Sequence, residues 1–134
     1  MIRLKPRIGA MLVALAALML AACGEKAAEA NADLLIRNAQ IQEVSVIFLE
    51  TYPVRVVAEA KGYLPDGCTS IREIKQARDG RLFSVTITTS RPKGAICTMA
   101  IREFKELIQL ETTGLAPGAY RVEVNAVGTD FNLP

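Results

Sequence analysis

The chain contains no histidine and no tryptophan. Without imidazole, Ser-His-Asp and Cys-His nucleophile arrangements are excluded, and so is any zinc site that uses histidine. With no tryptophan and only three Tyr and four Phe, the aromatic platforms that usually accompany two carboxyls across a sugar-binding cleft are scarce. Glu103, Glu106 and Glu111, the best candidates for paired carboxylates or a calcium site, therefore read as a solvated face. There is no Asp-x-Asp-x-Asp-Gly loop for calcium. Met99 is the only methionine beyond the N-terminal segment, too few soft ligands for a copper(I) cluster. No Ser-x-x-Lys spacing accompanies an apolar cleft signal. The sequence asks for no metal and no cofactor, and the expectation is that the protein is not an enzyme.

A strong charge of either sign is also missing. Lys and Arg number 16 against 14 acids, a formal +2. Arg3, Lys5 and Arg7 fall in an N-terminal segment that holds no acid. Removing them leaves 13 basic residues against 14 acidic, a net charge of −1 for the remainder. Nucleic-acid binders neutralise many phosphates with clustered Lys and Arg, so nucleic acid is not an expected partner.

No apolar run is long enough for a comfortable bilayer span. The longest, residues 8–22, reaches roughly 22 Å as a helix against a hydrocarbon core of about 30 Å. Preceded by Arg3, Lys5 and Arg7, it has the layout of a signal peptide, expected over residues 1–22. It ends in Leu20-Ala21-Ala22-Cys23, which resembles the lipobox of bacterial lipoproteins: an aliphatic residue, two small residues, then the modified cysteine. The resemblance implies diacylglycerol on the Cys23 sulfur, cleavage just before it and acylation of the new amine. One acyl chain binds a bilayer only marginally, whereas two or three anchor it stably. Gly24 follows the cysteine rather than the aspartate that favours inner-membrane retention, which points to the outer membrane, facing the periplasm. An ordinary signal peptide cut after Ala22, or an uncleaved anchor, is the alternative.

Assigning Cys23 to the lipid leaves Cys68 and Cys97 as an even pair. In an oxidising compartment such a pair closes, and its loop is worth roughly 3.6 kcal/mol in the chain-entropy model. There is no Cys-x-x-Cys arrangement to lower a thiol pKa for redox work. A structural disulfide is expected, with reduced buried thiols as the other reading.

Residues 24–33 are rich in Ala and Glu, carry no large apolar side chain and read as a tether of at most about 35 Å. Lipidated cysteine and tether occupy 23–40, with a first strand starting as early as residue 34, and a folded domain occupies 41–134. Val44, Val46 and Phe48 alternate, as do Val54, Val56, Ala58 and Ala60. Residues 71–78 lead through Asp79-Gly80 into 82–89, a hairpin with Phe83, Val85 and Ile87 on one face and Ser84, Thr86 and Thr88 on the other. Residues 95–101 and 104–111 are compatible with strands, although 101–110 also shows helical spacing. Tyr120, Val122 and Val124 alternate, and residues 125–129 are expected to turn into a last strand at 131–133. About seven short strands with regular turn signals predict an all-β, antiparallel immunoglobulin-like β-sandwich.

The segment Leu115-Ala116-Pro117-Gly118-Ala119-Tyr120 resembles the turn that leads into a late strand of immunoglobulin-like and fibronectin-type domains, and more closely the Gly-x-Tyr-x-Val-x-Val of bacterial immunoglobulin-like modules. That resemblance implies a tyrosine corner, the Tyr120 hydroxyl bonding to nearby backbone; the plainer reading is a core aromatic at a strand start. Residues 62–69, 89–92 and 96–98 are similar to small exported bacterial proteins of unassigned activity, a likeness covering most of residues 41–134.

The sequence thus reads as a lipid-anchored, non-catalytic envelope protein, attached to the membrane through Cys23 and engaging an envelope protein or glycan. Arg91 and Lys93 around Pro92, and Arg78 and Arg81 with Lys75 at the hairpin end, are candidate contact loops for an acidic partner, anionic glycan or phospholipid headgroups; ordinary solubility is the plainer reading. The alternative function is inhibition of a lysozyme or protease by rigid loops at 62–68 and 90–97.

Overall fold

Period-two alternation of apolar side chains runs through residues 56–60, 83–87 and 120–124, and the described residues form eight strands. The computed structural model describes residues 33–134; the signal peptide, Cys23 and most of the tether expected from the sequence lie outside the described residues. In chain order the strands are β1 (Leu34–Asn38), β2 (Gln40–Leu49), β3 (Arg55–Leu64), β4 (Ser70–Asp79), β5 (Leu82–Pro92), β6 (Arg102–Gln109), β7 (Gly118–Val124) and β8 (Val127–Leu133). The first strand therefore begins at Leu34, ahead of residue 41.

The strands form two sheets, β2-β3-β6 and a five-stranded sheet around β5. One side of β5 is occupied along its length by β4, from Ser70↔Ser90 to Asp79↔Leu82. The other side is shared. β1 pairs antiparallel with the distal part, Leu34↔Pro92 to Asn38↔Thr88, and β7 pairs with the proximal part, Leu82↔Arg121 to Val85↔Val124. The β5–β7 pair is parallel, a departure from the purely antiparallel sandwich expected. Its cause is the path of the chain: residues 110–117 carry it from β6 in one sheet to the β4–β5 turn end of the other. From there β7 can only run alongside β5 in the same direction.

Two more expectations are corrected. Residues 95–101 form no strand, because this segment crosses between the sheets and its backbone meets a loop instead of a ladder: the Thr98 carbonyl accepts from Gly67 N–H at 2.9 Å. The turn expected over 125–129 contracts to Asn125-Ala126, since Val124 and Val127 already pair. The segment with helical spacing is strand β6, paired with β3 from Val57↔Gln109 to Leu64↔Arg102.

The core lies between the sheets. Val56, Ala58 and Ala60 of β3 are fully buried, as are Phe83 and Ile87 of β5 and Val122 and Val124 of β7. Phe83, Tyr120 and Phe131 group with ring centroids 5.9–6.1 Å apart, and Phe48 meets Phe131 edge-on at 6.3 Å. Along one open side, Gln76 of β4 bridges to the other sheet, donating to the Gln109 carbonyl at 3.1 Å and accepting from Glu111 N–H at 3.2 Å. The tyrosine corner forms: Tyr120, 6% exposed, donates its hydroxyl to the Ala116 carbonyl at 2.7 Å.

Candidate interaction surface at the disulfide end

Leu64 pairs with Arg102, and Ser70 with Ser90, so the connections 65–69 and 93–101 cross between the sheets at the same end of the sandwich. Cys68 and Cys97 close a disulfide between them, Cα–Cα 5.6 Å. The approach is close: a Cβ at residue 67 would collide with the Thr98 hydroxyl, so any larger residue beside the Gly67–Thr98 backbone bond would have to displace the Thr98 side chain.

Beneath the disulfide sits Asp66, 8% exposed. One carboxylate oxygen accepts from Cys68 N–H (2.9 Å), Thr69 N–H (2.8 Å) and the Thr69 hydroxyl (2.9 Å). The other accepts from Arg91 Nε at 3.0 Å. Desolvation pulls the Asp66 pKa upward, but the Thr69 hydroxyl, the Cys68 and Thr69 amides and the Arg91 charge together outweigh it and leave the pKa below the usual aspartate value. Arg91 extends the network to the Ala95 carbonyl (3.3 Å) and the Cys97 sulfur (3.4 Å). Arg102 donates to the Thr69 carbonyl at 2.6 Å. Both loops are thus fixed to one polar platform. Asp66, Cys68 and Cys97 bring three metal-ligand-type atoms within 4.8 Å, but the two sulfurs bond each other and the carboxylate is occupied by four donors, which makes the group a brace.

On this platform the 93–101 connection displays apolar side chains to solvent. Ile96 is 102% exposed, Met99 85% and Ile101 68%. Residues 91–102 also hold Arg91, Lys93 and Arg102 and no carboxylate.

The loop cations expected to act as contacts do not form one patch. Arg91 and Lys93 lie at the disulfide end; Arg78 and Arg81 lie at the β4–β5 turn, about 33 Å away along the strand. Arg91 is partly withdrawn into the Asp66 pair, with 30% of its side chain exposed. Arg78 donates to the Gly80 carbonyl at 2.8 Å. Arg81 donates to the Ala119 carbonyl at 3.0 Å and lies 4.8 Å over the Tyr120 ring, capping the tyrosine corner. Ser90 and Lys93 have a Ser-x-x-Lys spacing, but Ser90 sits within β5 between β1 and β4, whereas Lys93 lies beyond the strand end in a turn. Cys23 lies outside the described residues.

Sequence reasoning missed Asp66 and the display of Ile96, Met99 and Ile101. Its available signals were Pro65-Asp66-Gly67, a turn sequence that caps its own backbone, and an apolar run interrupted by Cys97, which suits a pinned loop as well as a strand.

Fold and brace define a class, the small disulfide-braced β-sandwich domain. Within it, the chain belongs to the ORF11 beta-sandwich domain family, whose model matches residues 58–133. It is similar to an uncharacterized 10.2 kDa protein in the HgiCIIM 5' region of Herpetosiphon aurantiacus, 40% identical over 93 residues that make up 69% of this chain and 98% of that protein. Uncharacterized 10.2 kDa proteins in the HgiBIM and HgiEIM 5' regions of the same organism are each 41% identical over 81 residues, 60% of this chain and 98% of theirs. No solved structure matches the chain.

Proposed function

We propose that the protein is a lipid-anchored, non-catalytic module of the bacterial envelope, held through Cys23 on the periplasmic side of the outer membrane, where it binds or braces another envelope component through the loops at its disulfide end. The supporting observation is the position of Leu34. Leu34, where the described chain begins its first strand, pairs opposite Pro92, at the same end as the pinned, apolar 93–101 loop, so an anchor at Cys23 would tether the domain by the pole that carries the contact surface. The anchor is tested by metabolic labelling with an alkyne fatty acid: the wild type takes up label and fractionates with membranes, and Cys23→Ser does neither. An unlabelled wild type, or a serine variant processed and localised like it, refutes the anchor.

A second reading, inhibition of a lysozyme or protease, is favoured by the rigidity of the 65–69 and 93–101 loops, which disulfide, Gly67–Thr98 bond and Asp66 hold together. Inhibition near one-to-one stoichiometry in a panel of such enzymes supports it; unimpaired enzymes at excess protein eliminate it.

A further inference from the structure

We propose that the 93–101 loop is a membrane-docking element whose Ile96, Met99 and Ile101 enter the headgroup region of an anionic phospholipid bilayer. This rests on the lipid-anchor reading and names the surface that the anchored domain touches.

Three observations converge on a bilayer as the occupant. Single exposed apolar residues are ordinary on protein surfaces, but here three of them lie within six residues of one another and are 102%, 85% and 68% exposed. Their loop is held by the Cys68–Cys97 bond and by Arg91 and Arg102, so they protrude from a fixed base and cannot fold back onto the core. Insertion then orders little additional backbone, which keeps its entropic cost small.

The second observation is where the chain outside the described residues attaches. Leu34 pairs with Pro92, beside Lys93 and the start of the loop. From Cys23 to this point run the ten residues 24–33, which span at most about 35 Å even fully extended. An acylated Cys23 holds this pole of the domain within reach of the bilayer, and the loop meets the surface at high effective concentration.

The third is charge. Residues 91–102 carry Arg91, Lys93 and Arg102 without a carboxylate; Asp66 compensates Arg91 from below. Apolar tips flanked by cations match an anionic interface, where the tips leave water and the cations stay among phosphates.

The test uses the full chain reconstituted in vesicles. Because the protein has no tryptophan, Met99→Trp and Tyr52→Trp each introduce a single indole, one in the loop and one at the fully exposed Tyr52 position of the opposite end. With bromine-labelled lipids in phosphatidylglycerol-containing vesicles, fluorescence of the Met99→Trp variant should be quenched several-fold more than that of the Tyr52→Trp variant. The difference should shrink in pure phosphatidylcholine, and in the anionic vesicles when Ile96→Ser and Ile101→Ser are added. An unquenched loop indole, as when a second copy or another protein covers the loop, overturns the proposal, and so does equal quenching of the two variants or equal quenching in both lipids. Free-thiol titration confirms that each variant keeps its disulfide. The intact mass of the same preparation reports acylation of Cys23 separately, so a missing anchor and a non-inserting loop give different results.

Discussion

Asp66 and Asn125 each support more of the structure than their size suggests. Asp66 accepts four hydrogen bonds, three from its own loop and one from Arg91 of β5, and its pKa lies below the ordinary value. A carboxyl with a depressed folded-state pKa contributes stability that is complete above its unfolded pKa and is lost as pH falls through the folded value. Thermal midpoints measured from neutral pH into the acid range should therefore fall below the usual aspartate range in the wild type. Asp66→Asn should start lower at pH 7 and show a shallower acid limb; parallel limbs would refute the assignment. Asn125 closes the seam where β1 and β7 meet on β5. Its amide donates to the Ala39 and Ile87 carbonyls at 3.0 and 2.8 Å, and its oxygen accepts from Ile87 N–H at 3.0 Å. Asn125→Gly tolerates the backbone φ of 47° but strands these groups, and chemical denaturation should show a loss of about 2 kcal/mol.

At the scale of elements, the turns carry the clearest signatures. Gly80, φ 58°, begins the two-residue β4–β5 turn that Asp79-Gly80 announced, although Asp79 itself closes the ladder against Leu82. The β7–β8 turn has positive φ at both Asn125 and Ala126, 47° and 72°, the pattern of a type I′ hairpin. Alanine is strained in that region and glycine is not. Ala126→Gly should raise stability by about 0.5 to 1 kcal/mol in urea denaturation, after the larger entropy of the unfolded glycine chain is offset. Strands β3, β5 and β7 were readable because Val56, Ala58, Ala60, Phe83, Val85, Ile87, Val122 and Val124 alternate with outward-facing neighbours. The 95–101 segment has a composition that suits a strand, and only its lack of a pairing partner decides against one.

For the whole molecule, the brace across one end matters most. Cys68 and Cys97 are 29 residues apart, and in the chain-entropy model a loop of that length is worth about 3.6 kcal/mol. Cys68→Ser/Cys97→Ser should lose stability on that order in denaturant, and limited proteolysis should cut first in 93–101, the connection released. Unchanged protease resistance would show that Asp66 and Arg102 hold the loop alone. Three cysteines alone allow three pairings; setting Cys23 aside by its lipobox resemblance leaves Cys68 and Cys97, the pair that the structure closes. The exposure of Ile96, Met99 and Ile101 was not legible, because the same apolar letters also describe a buried strand.

Sequence alone determined the all-β character and the core-facing residues, since both follow from local periodicity, and it made the Cys68–Cys97 pair and a tyrosine corner at Tyr120 expectations that rested on short-motif resemblances. Tertiary structure decided the parallel β5–β7 pairing, the seam closed by Asn125, the separation of Arg91 from Arg78 and Arg81, and the outward display on 93–101. These depend on which strand ends come together across the two sheets, and pairing between residues far apart in the chain is an energy of the assembled molecule that no window of sequence contains.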